Sequence, residues 1–72
     1  MSKGKSELAH RIAETRKRCG LTQAKVAKAL YCTSTCVCHW EYGRSEPGVA
    51  QIVELCKLFG VSADYLLGLK EE

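Results

Sequence analysis

Residues 22–44, TQAKVAKALYCTSTCVCHWEYGR, decide the fold of this chain, because their pattern predicts two short helices joined by a tight turn. Thr22 and Thr33 each stand directly before a helical pattern, and a threonine hydroxyl accepts a hydrogen bond from the unpaired amide groups of a helix N-terminus. Two residues separate the patterns, which is enough only for a turn. Gly43 ends the second helix, since glycine readily takes the left-handed conformation that closes helices.

The second of these helices has two chemically different faces. When it is wound at about 100° per residue, its large apolar side chains, Val37 and Trp40, fall on one side and predict contact with the core. The opposite side presents small or hydrogen-bonding side chains, at Ser34, Thr35, Cys38 and His39. Short side chains let a helix approach a partner closely, as insertion into the DNA major groove requires. We interpret this side as a base-contacting face; a solvated face that is merely small is the alternative.

The length and composition of the chain indicate one small soluble domain. Its 72 residues are enough for a single domain with a small core. The apolar fraction of 46% and the charged fraction of 26% are typical of a folded protein rather than a disordered one. No apolar run approaches the about 18 residues that span a membrane, and no apolar signal segment follows the N-terminal MSKGKSE. We expect a cytoplasmic protein with no membrane partner.

The net charge of +3 is unevenly distributed along the chain. Residues 1–45 contain nine Lys or Arg and three acidic residues, whereas residues 46–72 contain two Lys and five acidic residues. The basic half includes the two-helix unit, which favours an anionic partner such as nucleic acid. The alternative is that these cations only solvate a helix and a polar end.

Five cysteines in so short a chain raise the questions of disulfides and of a metal site. The lack of a secretory signal favours reduced thiols. Cys36 and Cys38 lie about 160° apart on a helical wheel, so one helix cannot direct both to one zinc ion, and no second ligand cluster completes a site. We therefore expect no metal. Cys19 and Cys56 occupy core-like positions, and Cys38 is the thiol that we expect to be exposed.

The whole chain is predicted to be all-α, a compact bundle of about five short helices in a single domain. The predicted helices span about 6–19, 23–30, 34–42, 48–59 and 63–68, after a flexible polar arm at residues 1–5. Pro47 suits the first turn of the fourth helix. The residues of that helix expected to face inward are Val49, Ile52, Val53, Cys56 and Phe59.

Arg16 lies on the inward stripe of the first helix, one turn beyond Ile12. A buried guanidinium needs a carboxylate, because an unpaired buried charge is very costly. Glu41, on the inward face of the helix that begins after Thr33, is the predicted partner. A bidentate pair would fix the angle of that helix; the alternative is that both side chains reach water separately.

Three motifs follow one another along the chain: R-x-x-x-G-L-T-Q from Arg16, W-E-x-G-x-S-x-P from Trp40, and L-x-K-x-[LF]-G-V-S-x-D-x-L-L from Leu55. In this order and spacing they resemble the helix-turn-helix domain of phage repressors, Cro proteins and XRE-like regulators, across roughly residues 8–68. The resemblance implies a lambda-repressor-like fold. It also implies a repressor-like transcriptional regulator that binds a pseudo-palindromic operator in double-stranded DNA as a homodimer.

The resemblance assigns roles to individual residues. Gln23 matches a glutamine that contacts a phosphate and helps to orient the recognition helix, and Arg44 matches a basic loop residue that contacts the DNA backbone. Arg16 and Glu41 match a recurrent buried ion pair. The base-facing positions of the family fall on the same four residues that the helical wheel selects. Lys25 and Lys28 add nearby positive charge, so the expected phosphate contacts are Gln23, Lys25, Lys28 and Arg44.

The chain departs from the family pattern in the turn and on the base-facing side. Tyr31 stands where the turn often has glycine, and Cys38 is a poor base reader. The long Gln or Arg readers common in this helix are missing, so we expect part of the specificity to come from DNA deformability. The candidate dimer contacts are Tyr65, Leu66, Leu69 and the loop before Pro47.

Two other functions remain open from the residues alone. One is an antitoxin or protein-interaction module on the same fold, because fold does not settle function. The other is a redox-responsive regulator that uses Cys38. The sequence has no Gly-rich phosphate loop and no converging acid–base pair. We therefore predict that the chain is not an enzyme and takes no cofactor and no small-molecule ligand.

Overall fold

The computed structural model describes residues 7–71, and these residues form five α-helices and no β-strand. The predicted all-α bundle is confirmed. The helices are α1 (Glu7–Arg18), α2 (Gln23–Ala29), α3 (Ser34–Tyr42), α4 (Val49–Phe59) and α5 (Ala63–Leu66). The largest departure from the predicted bounds is at α5, which is a single turn of 4 residues. The predicted arm at residues 1–5 lies outside the described residues.

Threonine caps define the starts of the two helices in residues 22–44, as predicted. The Thr22 hydroxyl accepts a hydrogen bond from the Lys25 amide at 3.1 Å. The Thr33 hydroxyl accepts one from the Cys36 amide at 3.2 Å. Each bond satisfies an amide group that has no partner within its own helix. Both helices therefore begin at positions that local chemistry sets.

The turn between α2 and α3 contains Tyr31 in a left-handed conformation, with φ of 59°. The Tyr31 amide donates to the Lys28 carbonyl at 3.3 Å, and the Cys32 amide donates to the Ala27 carbonyl at 2.9 Å, which closes the turn. A side chain in this conformation costs roughly 1 kcal/mol or more. The Tyr31 side chain is 97% exposed, so packing does not offset that cost.

One apolar core holds the α2–α3 unit against the rest of the bundle. Trp40 and Val37 of α3 are 2% and 0% exposed, so the apolar side of α3 faces inward as predicted. α1 contributes Ile12, and α4 contributes Leu55. The full cluster of buried residues is Ile12, Val26, Ala27, Leu30, Val37, Trp40, Leu55, Phe59 and Leu66. Burial of this cluster fixes which side of α3 is left for solvent or a partner.

The prediction that Val49 and Val53 face inward is wrong. Val49 is 82% exposed and Val53 is 46% exposed. α4 turns Leu55 and Phe59 to the core, and Val53 lies about 200° from Leu55 around the helix. Pro47 is buried but precedes α4, whose N-cap is Gly48, so its predicted place in the first turn is also wrong.

Cys19 was expected in the core, but its side chain is exposed. α1 ends at Arg18, and Gly20 takes a left-handed φ of 72°. Cys19 therefore leaves the inward stripe of the helix. Its thiol lies at the edge of the bundle, 3.8 Å from the carbonyl oxygen of Phe59, the last residue of α4.

The two ends of the described chain meet beside α1. Gly68 has a left-handed φ of 84°, and an added Cβ there would overlap the side chain of Glu7. Arg11 donates to Glu7 Oε2 at 2.7 Å and to the carbonyl oxygens of Tyr65 and Lys70, each at 3.0 Å. These bonds attach the segment after α5 to the first turns of α1.

Candidate nucleic-acid interface

The side of α3 opposite Trp40 is accessible and polar. Ser34 and Thr35 are exposed, and Cys38 and His39 are half-buried. All four of the predicted base-facing residues therefore share one side of α3, and that side is not part of the core. Their predicted contact with DNA bases stays a prediction.

Backbone bonds at the end of α3 fix the position of its last turn. Gly43 takes a left-handed φ of 77°, as the predicted helix stop requires. The Gly43 amide donates to the Trp40 carbonyl at 3.2 Å, and the Arg44 amide donates to the His39 carbonyl at 2.9 Å. A backbone hydrogen bond therefore fixes Arg44 to the last turn of α3, while its side chain is exposed.

The predicted ion pair between Arg16 and Glu41 is present in the structure. Arg16 Nε lies 2.6 Å from Glu41 Oε2, and Arg16 Nη2 lies 3.2 Å from Glu41 Oε1. The two side chains are 13% and 7% exposed. The pair has the bidentate geometry that matches a guanidinium to a carboxylate. It connects α1 to the last turns of α3.

Gln23, which was expected to contact a phosphate and to help orient the recognition helix, is bonded to a residue of α3; its contact with a phosphate stays a prediction. Gln23 is half-buried, and its Nε2 donates to Glu41 Oε1 at 3.0 Å. A carboxylate offers about four acceptor positions, and the two bonds from Arg16 leave some of them unfilled. A buried Glu41 carboxylate therefore predicts a hydrogen-bond donor besides Arg16. The sequence does not show that Gln23 is this donor.

Three cations, two on α2 and one directly after the C-cap of α3, have no acidic partner within residues 7–71. Lys25, Lys28 and Arg44 are all exposed. Within residues 7–71 the ion pairs involve other residues, and none involves these three. In the same part of the chain, Glu7 and Glu41 are each paired with an arginine. These three cations, on α2 and at the residue after Gly43, are therefore available to an anionic partner.

The cysteines near this surface are free thiols that differ in burial. All are unpaired thiols, and Cys38, which was expected to be exposed, is half-buried. Burial, and secondarily the neighbouring Cys36, raises the pKa of the Cys32 thiol, and burial raises the pKa of the Cys56 thiol. Among the described residues, no group of three or more His, Cys, Asp or Glu side chains is placed to hold a metal ion.

Comparison with known proteins gives one consistent result. A family model for a helix-turn-helix domain matches residues 7–66. The P22 c2 repressor protein, solved in complex with synthetic operator 9T, is similar with a TM-score of 0.79 and 30% identity, over 83% of this chain and 91% of that one. A transcriptional regulator from Listeria innocua has a TM-score of 0.82 and 22% identity, over 99% of this chain and 64% of that one, which supports the fold alone.

The HTH-type transcriptional regulator ImmR of Bacillus subtilis is 33% identical over 64 residues. The match covers 89% of this chain, but this chain spans only 50% of that relative. Within residues 7–71, no helix combines the length and the apolarity that crossing a membrane requires.

Proposed function

Because this chain belongs to the helix-turn-helix family of DNA-binding transcriptional regulators, we propose that it binds operator DNA as a homodimer, with α3 in the major groove. It would act as a repressor-like regulator in the cytoplasm, and residues 1–72 would work as a single DNA-binding domain. Two copies would engage half-sites about 34 Å apart on a pseudo-palindrome.

The observation that carries this proposal is the division of α3 into two sides. Trp40 is 2% exposed and secures one side to the core. Ser34 and Thr35 are exposed on the other side, close to the N-terminus of α3, where a recognition helix meets base edges. The hydroxyl groups can exchange hydrogen bonds with base edges, and the Thr35 methyl group can pack on a thymine methyl group.

The exposed cations supply the contacts that do not depend on sequence. Lys25 and Lys28 lie on α2, and Arg44 follows the C-cap of α3. Together with Gln23 they are proposed to contact phosphates, which sets the register of the protein on the duplex. Cys38 and His39 complete the proposed base-contacting face.

The fold narrows the surfaces on which a homodimer can form. Tyr65 and Leu66 are 8% and 0% exposed, so these two predicted dimer contacts belong to the core. Leu69, in contrast, is 73% exposed, and Ser45 and Glu46, in the loop before Pro47, are exposed as well. We therefore keep Leu69 and this loop as the proposed dimer contacts.

The test is selection of bound duplexes from a random pool by the whole chain at stated salt, followed by sequencing. We expect salt-sensitive binding and a selected sequence with two-fold symmetry. Thr35→Ala and His39→Ala should change the preferred bases, whereas His10→Ala, which alters an exposed histidine of α1, should not. Preferences that neither groove-face variant changes would show that the face is wrongly assigned. A chain that binds no duplex would favour the antitoxin or protein-interaction function.

A further inference from the structure

Three hydrogen bonds converge on the side chain of Glu41, near the end of α3. Oε2 accepts from Arg16 Nε at 2.6 Å, and Oε1 accepts from Arg16 Nη2 at 3.2 Å. Oε1 also accepts from Gln23 Nε2 at 3.0 Å. The carboxylate is only 7% exposed, so these protein donors replace the water that it would otherwise bind. One buried group thus holds a residue of α1 and a residue of α2 at once.

The same guanidinium also holds the chain just before α2. Arg16 Nη1 donates to the carbonyl oxygen of Leu21 at 2.9 Å. Leu21 directly precedes Thr22, the N-cap of α2, and Gln23 is the first residue of that helix. The start of α2 is therefore fixed at two points, at the backbone by Arg16 and at the Gln23 side chain by Glu41.

From this arrangement we infer that Glu41 is a positioning residue for DNA binding, which orients the side-chain amide of Gln23 toward a phosphate. The inference rests on the proposed function, because it assumes that Gln23 meets DNA. Glu41 itself is buried on the inward side of α3 and would not touch the nucleic acid.

The chemistry of the two groups determines the orientation of the amide. An ionised carboxylate only accepts hydrogen bonds, so it must face the nitrogen of the amide and not its oxygen. A primary amide has two N–H hydrogens, and Glu41 takes one of them. The second remains for a phosphate oxygen, and both bonds can exist together. Without Glu41 the amide could rotate and present its oxygen, which repels a phosphate.

The position of Glu41 on α3 has a second consequence. Glu41 lies on the same short helix as the proposed base-contacting residues, two positions after His39. A shift of α3 in the groove would move the Glu41 carboxylate, to which the Gln23 amide is bonded, by a similar distance. Phosphate contact by α2 and base contact by α3 are therefore coupled through one carboxylate, and the register of one depends on the other.

A double-mutant cycle in DNA affinity tests this coupling. Gln23→Met removes the amide with little change in length, and Glu41→Gln keeps the shape of the side chain but removes its charge. The dissociation constant for one selected duplex is measured for the chain, both single variants and the double variant, with the folded fraction checked by circular dichroism. We expect each single variant to weaken binding about tenfold, and the double variant to be no weaker than the worse single one. Multiplicative losses would overturn the inference.

Gln51 provides a matched control for the cycle. Its side chain accepts from the Gly48 amide at 2.8 Å at the start of α4, and no bond joins it to Glu41 among the described residues. Gln51→Met combined with Glu41→Gln should therefore give losses that multiply. Coupling of the same size in this control would assign the effect to general destabilisation and overturn the inference.

A measurement on the unmodified chain covers the case in which Glu41→Gln does not fold. In ¹⁵N-labelled protein, one of the two side-chain amide protons of Gln23 should be protected from exchange with water by the bond to Glu41, and the other should exchange rapidly. Addition of the duplex should shift the other proton. Rapid exchange of both protons with water, in the free and in the bound protein, would contradict the inference. Failure of the chain to bind any duplex would instead refute the proposed function, so the two failures are distinct.

Discussion

Arg16 and Glu41 form a bidentate pair between α1 and α3, with Nε 2.6 Å from Oε2 and both side chains largely buried. Removal of one partner from a buried pair costs more than the pair contributes, because the remaining charge has no partner and little water. We expect Arg16→Met to lower the free energy of unfolding by about 3–5 kcal/mol. Urea unfolding measures this change in the free energy of unfolding. Arg16→Met combined with Glu41→Leu should cost clearly less than the sum of the two single changes; a fully additive loss would contradict the pairing.

Thr15 should tolerate the loss of its hydroxyl group. The residue is 3% exposed, and among the described residues its Oγ1 has no hydrogen-bond partner. A buried hydroxyl without a partner is destabilising, and valine has nearly the same shape without it. Thr15→Val should therefore raise the free energy of unfolding by about 1 kcal/mol, measured by thermal or urea unfolding. Thr15→Ser, which keeps the hydroxyl and loses a methyl group, should be less stable than the parent chain. A loss of stability in the valine variant would indicate a hydrogen bond at this site.

Tyr31 should be a stabilising site for glycine. Its φ of 59° disfavours a side chain, and its side chain is 97% exposed, so little packing is lost on removal. Tyr31→Gly should raise the free energy of unfolding by about 0.5–1 kcal/mol in thermal or urea unfolding. Tyr31→Ala is the matched control, because alanine removes the ring but keeps the conformational strain. Equal stability of the two variants would show that φ does not limit this turn.

The cysteines should differ in their reaction with a thiol-specific alkylating reagent. Cys19 is exposed, whereas burial raises the pKa of Cys32 and of Cys56 and disfavours the reactive thiolate. At pH 8, mass spectrometry should show modification of Cys19 first and of Cys32 and Cys56 late. As the pH is raised, the reaction rates of these two half-buried thiols should level off at a higher pH than the rate of a free cysteine, because their pKa values are raised. Early modification of Cys32 would contradict its placement.

Arg44 should contribute to DNA binding without reading sequence. Its exposed guanidinium follows Gly43 at the end of α3 and has no ion-pair partner among residues 7–71. Arg44→Ala should weaken binding to all duplexes to a similar extent. It should also reduce the slope of log K against log salt by about 1, because one fewer counterion is released. Lys57→Ala, which removes an exposed cation near the end of α4, is the control. A loss limited to the selected duplex would contradict a phosphate contact.

Local chemistry made much of this fold predictable. Thr22, Thr33 and Gly43 define helix ends through bonds within a few residues, so their roles follow from the sequence alone. The inward side of α3 was also predictable, because Trp40 dominates the apolar surface of a short helix. Arg16 could be matched to Glu41 because a charge on an inward stripe requires an opposite charge.

The failed predictions depend on how helices pack against one another. α4 has apolar residues on several sides, and hydrophobicity alone could not show that Val53 would be on the outer one. Cys19 was misplaced because α1 ends at Arg18, short of the predicted end. The bond from Gln23 to Glu41 joins residues 18 positions apart, and no local pattern signals it. In the candidate site, the residues of α3 were predictable, whereas the network behind them was not.

The contact of Gly68 with Glu7 brings the two ends of the described chain together, and Arg11 lies 3.7 Å from Glu71 at the same place. A short flexible linker could therefore join residue 71 to residue 7 and close the domain into a ring. Reopening that ring at the exposed Gly60, between α4 and α5, would give a circular permutant in which both new termini lie far along the chain from α3. In the permuted sequence, the proposed DNA-contacting helices α2 and α3 would then lie well away from both termini.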